Sequence, residues 1–348
     1  MNIGFEYSSY ILKFRKPFVT SKRIFTEKRG LILSLISDAG LIANGDVAPL
    51  PDFGTESIED DINVLKYLKN PIEFDATDPL NSIIKICRDF QDYPALSSGI
   101  EQALINLTCG TLGTDLSNLL KRNANQTLLV NGLIDLISTM EAKDRALKLV
   151  NEGFETIKLK IGKDDFKEDF SCIKAVREAV GEDIKIRVDL NGKWSFDQAV
   201  QNLKIISQFD LEYAEQPVSS IDELIALSKE VSIPIAADES VRDIETARRI
   251  LETSNVAVLV LKPTIIGGLL PSLEIADLAH RFGKEVVISS AFESSIGRRH
   301  IFYVASLVQS SLAHGLSTGS FFTKDIKPES YRLSRGRIEI YDPILKRG

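Results

Sequence analysis

The hydrophobic pattern changes character once along the chain, near residue 126. Before that point, Tyr7 to Phe14 and Lys28 to Ser37 run apolar and β-branched, as strands do, and Ala39-Gly40 turns the chain toward Leu41 to Ala43. A Pro/Gly-rich loop, Ala48 to Gly54, leads into helical patterns at Ser57–Leu68, Pro79–Phe90 and Ser97–Leu107. The last of these puts Ile100, Ala103, Leu104 and Leu107 on one face. Leu119 to Gln126 reads as a linker. After it, short apolar runs alternate with amphipathic stretches. The runs are Leu128–Leu133, Thr156–Ile161, Ile184–Leu190, Leu211–Ala214, Ile235–Ala237, Ala257–Leu261, Val286–Ile288 and, more weakly, Leu312–Leu316. Helical patterns between them cover Ala142–Glu152, Phe166–Val180, Phe196–Phe209, Ile221–Val231, Asp243–Glu252, Leu269–Phe282 and Gly297–Val308. Strand–helix alternation at this count and spacing predicts a (β/α)-barrel, although a doubly wound open sheet shares the alternation. Tyr331 to Tyr341 alternates again and reads as a strand returning to the first module.

Composition narrows the function classes. The 348 residues carry 44% hydrophobic and 26% charged side chains, which suits a large globular core. A net charge of −7 supplies no basic field for nucleic acid or an anionic membrane. The longest apolar runs, such as Val256 to Leu261, are strand-sized and too short to span a bilayer. Cys87, Cys109 and Cys172 are scattered and form no CxxC pair, so neither a disulfide framework nor a zinc site is expected. The first residues lack the charged and apolar regions of a signal peptide. A cytoplasmic location is the expectation.

In a parallel barrel, chemistry gathers at the C-terminal ends of the strands. There the chain places Lys158 and Lys160, two residues apart and so on one face, then Asp189-Leu190-Asn191, Glu215-Gln216, Asp238-Glu239 and Lys262. Asp189, Glu215 and Asp238 end three successive strands, which lie about 5 Å apart. They are the candidate metal ligands. An all-oxygen set favours a hard cation, Mg2+ first, with Mn2+ as a second candidate. Any one acid taken singly is as well explained by helix capping or a surface ion pair. Three in register between lysines fit a metal better. A lysine serves as a base only where burial or neighbouring positive charge disfavours its ammonium form. Lys160, two residues from Lys158 and facing the acids, is placed for that role. Lys262, on the other side, is placed to stabilise developing negative charge. Ser289, Ser290 and Ser294, with Lys158, Asn191 and Glu293, are candidates to line a substrate pocket.

The series KLKIG (158–162), VDLNGKW (188–194), AEQPV (214–218), ADES (237–240), LKPTIIGG (261–268) and ISSAFESSIG (288–297) resembles the muconate-lactonizing subgroup of the enolase superfamily. ALSSGIEQAL (95–104) and the APLP loop extend the likeness into the first module. Within the subgroup the likeness is strongest to the o-succinylbenzoate synthase family, whose SS-x-x-ESS-x-G pattern is matched by residues 289–297. Val130 to Ile134 also looks like that family's first barrel strand.

The resemblance implies an α/β fold: a modified (β/α)7β barrel over residues 126–320, an N-terminal α+β capping domain over 1–125, and a segment 321–348 returning to the cap. It implies Mg2+ held by Asp189, Glu215 and Asp238, Lys160 as the base, and Lys262 as stabiliser of an enediolate. The implied reaction is syn elimination of water from 2-succinyl-6-hydroxy-2,4-cyclohexadiene-1-carboxylate to 2-succinylbenzoate, a step of menaquinone biosynthesis. Thr20–Phe25 and Pro49–Phe53 would be the specificity loops. The partner would be a small carboxylate, with a homo-oligomer compatible.

Asp46 departs from the pattern, standing where many relatives carry Glu. Dipeptide epimerases share the lysines and acids, but their Asp-x-Asp on strand eight is missing from His314 to Ser320. N-acylamino acid racemases and muconate cycloisomerases stay open. A mandelate racemase type needs a histidine ending strand seven. His280 and His300 fall instead in helical patterns, and His314 lies beyond that strand. A metal-stabilised binding or scaffold protein is the non-enzymatic alternative.

Overall fold

The computed structural model describes residues 1–19 and 24–340. The chain opens with β1 (Asn2–Val19), β2 (Ile24–Ser37) and β3 (Ile42–Val47). These pair antiparallel, and β2 puts Leu31, Leu33 and Leu35 into the core at every second residue. Then come α1 (Ile58–Tyr67), β4 (Ile72–Glu73), α2 (Pro79–Arg88), α3 (Pro94–Leu112) and α4 (Leu116–Leu120). β4 adds to the free edge of β1. The expected linker thus begins inside a short helix. Asp115 starts it by accepting the Asn118 N–H at 2.8 Å.

Helix α3 is buried nearly all round, not on one face, because it lies between the antiparallel sheet and the barrel. Close approach to β3 requires two glycines. A Cβ on Gly45 would stand 1.8 Å from the Gly99 carbonyl oxygen. The polar residues of α3 point at the barrel. Gln102 bridges Asp46 N and Ile296 O, and Glu101 accepts the first N–H groups of a barrel helix at Leu269 and Leu270.

The barrel follows with β5 (Thr127–Leu129), β6 (Gly132–Ile134), α5 (Thr139–Asn151), β7 (Thr156–Lys160), α6 (Phe166–Val180), β8 (Lys185–Asp189) and α7 (Phe196–Ile206). It continues with β9 (Leu211–Glu215), α8 (Ile221–Glu230), β10 (Ile235–Ala237), α9 (Ile244–Thr253), β11 (Val258–Leu261), α10 (Pro263–Ile266), α11 (Leu269–Arg281), β12 (Glu285–Ile288) and α12 (Ser295–Leu307). Strands β6 to β12 form one parallel sheet of seven in sequence order.

Two departures from the sequence reading occur at the seam. The run Leu128–Leu133 divides, because adjacent N–H groups face opposite ways: Val130 donates to Gly336 O and Asn131 to His314 O. The eighth strand is reduced to two bridges, Val130↔His314 and Ser289↔Gly315, which join the sheet's two edges and close the barrel. His314 Nδ1 also accepts the Ile288 N–H at 3.0 Å. A Cβ on Gly315 would meet Ser289 Oγ at 2.7 Å and push that hydroxyl aside. The fold is therefore a (β/α)7β barrel under an antiparallel-sheet cap.

The C-terminal run forms a hairpin, β13 (Leu333–Ser334) and β14 (Arg337–Glu339). It pairs with β5 and not with the cap sheet. The chain touches the cap earlier, where Phe322 bridges Phe14 and Thr323 N donates to Lys13 O.

Inside the barrel, Tyr213, Ala236, Val258, Val260 and Val287 form an apolar plug below the rim. Arg187 crosses it fully buried, bonded to Glu212 and to Ala313 O, with its guanidinium 4.6 Å from the centre of the Tyr213 ring. No helix among the described residues is long and apolar enough to cross a membrane.

His300 in α12 and His314 at the seam are structural. Burial pushes both down to about 3 from an ordinary 6.5. Between those values the unfolded chain takes up a proton that the fold refuses. Stability from this source is whole above pH 6.5 and declines as pH falls toward 3. Neither ring nitrogen of His300 has a hydrogen-bond partner among the described residues. His300→Leu should therefore unfold at pH 7 with an equal or higher midpoint, and its stability should fall less steeply with acid. Urea titrations from about pH 7 to pH 4 read this. A loss beyond about 1 kcal/mol at pH 7 would contradict it.

Candidate active site

Six strand ends of the barrel converge beneath the cap. Strand register brings the predicted residues together: Lys160 pairs with Asp189, and Asp189 with Glu215. All three carboxylates are buried, with side chains 1–3% exposed. Lys158 Nζ lies 2.6 Å from Glu215 Oε1 and 2.9 Å from Asp189 Oδ2. Lys160 Nζ donates to Asn191 Oδ1 at 2.7 Å and stands 3.5 Å from Asp189 Oδ2. Across the mouth, Lys262 Nζ meets both oxygens of Asp238, Oδ1 at 2.6 Å.

Gln216, outside the predicted set, and Asn191, expected as a pocket residue, hold this array. Gln216, at φ 39°, accepts the N–H groups of Asp238 and Ser240 on its Oε1, and its amide donates to Val218 O and Ser240 Oγ. One side chain thereby fixes the turns after two strands. Asn191 donates to Glu239 at 2.8 Å, which brings a fourth carboxylate to the mouth. Asp135, one residue past β6, adds a fifth acid beside Lys160. Asp135 directly follows β6, and Glu239, which the sequence already set beside Asp238, lies two residues past β10. Asp135 is harder to see in sequence because its strand has only three residues.

The strand-seven residues are placed differently. Glu293 is buried and accepts Ala291 N at 2.9 Å, Thr264 Oγ1 at 2.7 Å and the Ser290 hydroxyl. Ser290 also meets Thr318 at 2.6 Å. These contacts shape the loop itself. Ser294 gives its N–H to Asp46 at 2.7 Å, and its hydroxyl has no partner among the described residues. Ser289 Oγ is 3.5 Å from Gly315 O. Asp46 also accepts the Tyr10 hydroxyl, so it ties the cap to α12.

Part of the cap covers the mouth. Lys28, buried in β2, donates to the carbonyls of Ala48 (2.9 Å) and Pro49 and so holds the loop that follows β3. That loop carries Phe53, whose ring centre is 5.4 Å from Lys262 Nζ. Phe14, Phe25, Leu50, Ala291 and Phe322 form a buried apolar wall, with Phe292 packed on it at φ 65°. Of the first expected loop, Thr20 to Arg23 lie outside the described residues, whereas Ile24 and Phe25 begin β2.

Electrostatics sort the groups. Burial disfavours the ammonium form of Lys158, but Asp189, Glu215 and Asp238 outweigh it and hold its pKa well above the ordinary value. Lys262 is raised in the same way, against burial, by Asp238, Glu239 and Glu215. Burial works against ionised Asp189, yet Lys158 and Lys160 hold it below the carboxylate range. Glu215 is the acid whose charge is least supported. Burial pushes it to about 8, Lys158 pulls it down, and Asp189 and Asp238 push it up again.

As placed, the lysines hold the carboxylates, and among the described residues no three acids, histidines or cysteines close around one point. A cation would compete with those ammonium groups for the same oxygens. The donor chemistry fits one. Asp189, Glu215 and Asp238 are buried oxygen donors on adjacent strands, and Glu239 Oε2 is buried without a partner among the described residues. A divalent ion such as Mg2+ would favour the ionised form of Glu215.

Two outcomes follow. Mg2+ should raise the thermal midpoint of the parent, while Glu215→Gln, which keeps the shape and removes the charge, should lose most of that shift. An equal shift in both would remove Glu215 from the ligand set. Lys28→Met should release the loop that carries Phe53, raising KM several-fold with a smaller change in kcat, whereas Lys28→Arg should recover part of the loss. Unchanged steady-state constants in Lys28→Met would separate the loop from catalysis.

The model of the family described as "Enolase C-terminal domain-like" matches residues 141–343. Protein PHYLLO, chloroplastic, of Arabidopsis thaliana is 30% identical over 93% of this chain, which spans only 21% of that protein. An o-succinylbenzoate synthase of Thermobifida fusca is 35% identical over 58% of this chain and 62% of that enzyme. Among solved structures, the N-succinyl Arg/Lys racemase from Bacillus cereus is 25% identical, with a TM-score of 0.88 over 99% of this chain and 94% of that one. A dipeptide epimerase from Cytophaga hutchinsonii, complexed with Mg and D-Ala-L-Val, is 24% identical, with a TM-score of 0.90 over 99% and 94%. With barrel and cap in agreement with these matches, the chain belongs to the enolase C-terminal domain-like family of the enolase superfamily.

Proposed function

We propose that this protein is a dehydratase of the o-succinylbenzoate synthase type, which removes the α proton of 2-succinyl-6-hydroxy-2,4-cyclohexadiene-1-carboxylate and expels water. The observation that carries the α-proton chemistry is the pair of lysines on opposite walls, Lys160 on β7 and Lys262 after β11, flanking buried carboxylates at one mouth, and the Ser289–Gly297 pattern points that chemistry toward dehydration. Asp189, Glu215 and Asp238 would hold a divalent ion, Mg2+ or Mn2+, which when bound supplies electrophilic stabilisation of the substrate carboxylate.

The chain's own groups do the rest. Asn191 and Asp189 orient the Lys160 amino group, which as a free amine takes the α proton. Lys262, kept as an ammonium by Asp238, stabilises the negative charge that the carboxylate gains. Phe53 and the apolar wall exclude water from the ring. The enediolate then collapses to the aromatic ring as the C–O bond breaks. Lys160 returns its proton to the departing hydroxide, so water leaves and the amine is restored. Aromatisation drives this step, which lowers the demand for acid catalysis.

The Ser289–Gly297 pattern and the synthase among the relatives support dehydration. The racemase likeness supports a second reading, N-succinylamino acid racemisation, in which Lys160 and Lys262 serve as opposed bases across one α carbon. Dipeptide epimerisation is less well supported, because His314 to Ser320 carry no carboxylate for a substrate ammonium. A menaquinone-forming role follows only from the dehydratase reading.

Ultraviolet assays with the cyclohexadiene substrate, beside N-succinylamino acids and dipeptides under Mg2+, separate these readings. Dehydration should carry the highest kcat/KM, and chelation should abolish it. Lys160→Ala should fold, bind Mg2+ and lose roughly a hundredfold or more in kcat. Racemisation at full rate without aromatisation would replace the dehydratase reading, and full turnover in Lys160→Ala would remove the base.

A further inference from the structure

The first barrel strand contributes a carboxylate that the mechanism above leaves without a task. β6 runs parallel to β7 with Ile134 opposite Leu159, so the next residue, Asp135, comes alongside Lys160. The same register puts Gly132 and Ile134 toward the surrounding helices; a Cβ on Gly132 would strike Leu149 of α5. Alternation then turns Asp135 to the side shared by Lys158 and Lys160. Its Oδ1 is sealed from solvent and has no hydrogen-bond partner among the described residues. A buried carboxylate oxygen left unpaired is costly, so a strand-end acid in this condition marks an acceptor waiting for a donor. Burial raises its pKa, and Lys160 is the charged group that most opposes this, which agrees with their placement side by side.

We propose that Asp135 touches the substrate and accepts a hydrogen bond from the hydroxyl that the reaction expels. This rests on the dehydratase reading. In a syn elimination the α proton and the hydroxyl leave from one face of the ring, the face toward Lys160. Asp135 stands on that wall. Its oxygen takes the hydroxyl's O–H, which directs the oxygen lone pairs toward the Lys160 ammonium. The balance is closed. The α C–H pair becomes the new ring double bond, the C–O pair leaves with oxygen, and the proton held by Lys160 completes a water molecule. Asp135 accepts an O–H throughout and changes no proton. It is a catalytic residue by contact, assigned to C–O cleavage and not to proton abstraction.

The test uses the Mg2+-loaded full chain, Asp135→Ala and Asp135→Asn, in D2O with the cyclohexadiene substrate. Dehydration is read by absorbance, and α-deuterium in recovered substrate by NMR. The variants should lose about tenfold or more in dehydration kcat, the worth of one hydrogen bond in the transition state. Recovered substrate should gain deuterium relative to the parent, because abstraction continues while cleavage lags. Thermal midpoint and Mg2+ response should match the parent. Parental dehydration rates in both variants would overturn the assignment. So would equal loss of exchange and dehydration, which would make Asp135 a support for Lys160. A parent that exchanges the α proton but never aromatises would sink the dehydratase reading itself, an outcome visible without either variant.

Discussion

The structure of the mouth depends on one constraint: several carboxylates are buried where each makes its neighbours harder to ionise. Asp189, Glu215, Asp238 and Glu239 crowd the ends of three adjacent strands, where a nearby cation favours a carboxylate and a neighbouring acid opposes it. Lys158, Lys160 and Lys262 stand among these acids, with Lys158 shared by Glu215 and Asp189, Lys160 near Asp189 and Lys262 on Asp238. That crowding is what would give a divalent ion a place among these oxygens. It also explains why Glu215 is the weak point of the array, since it shares one ammonium with Asp189 and is pushed by two other acids. An ion among these oxygens would relieve that repulsion and loosen the claim of the acids on the lysines.

Such an array must be held rigidly, and the chain uses backbone geometry for it. Gln216 adopts a left-handed conformation so that one amide can receive two N–H groups from the next strand's turn. Asn191, also left-handed, reaches Lys160 on one side and Glu239 on the other. The cost of these conformations is local, and the hydrogen bonds they allow are buried. The cap is tied to the barrel in the same way, through Asp46, Glu101 and Gln102, each bonded to backbone groups of barrel helices or of their caps. Loop and rim therefore meet as parts of one body.

The acids and lysines were legible in sequence because parallel strands project side chains with period two and chemistry collects at one end. Residues 158, 160, 189, 215, 238 and 262 could be placed at that end by counting alone. Closure of the barrel was not legible. It rests on His314 and Gly315, two residues whose hydrogen bonds run to Leu129, Asn131 and Ile288 and which never form a strand. The burial of α3 was missed because its polar positions, Glu101 and Gln102, look solvated until the barrel supplies N–H and carbonyl partners. Lys28 gave no signal either, since its acceptors are backbone carbonyls of a loop twenty residues away. In each case the missing information was a long-range partner for a polar group.

Proton abstraction beside a carboxylate is common to racemisation, epimerisation and dehydration, so the lysine–acid array cannot by itself choose among them. The choice lies in what happens to the enediolate. If a second base waits on the far face, the proton returns there and the centre inverts. If a leaving group stands on the near face and its departure is assisted, elimination wins. In this chain Lys262 is held on Asp238 by a close ion pair, which suits a stabiliser better than a base. The near wall carries an additional carboxylate, Asp135, beside Lys160. Both features lie outside the shared acids, on the first and sixth barrel strands. Within one fold and one way of making the intermediate, differences of this size at the rim are enough to decide the product.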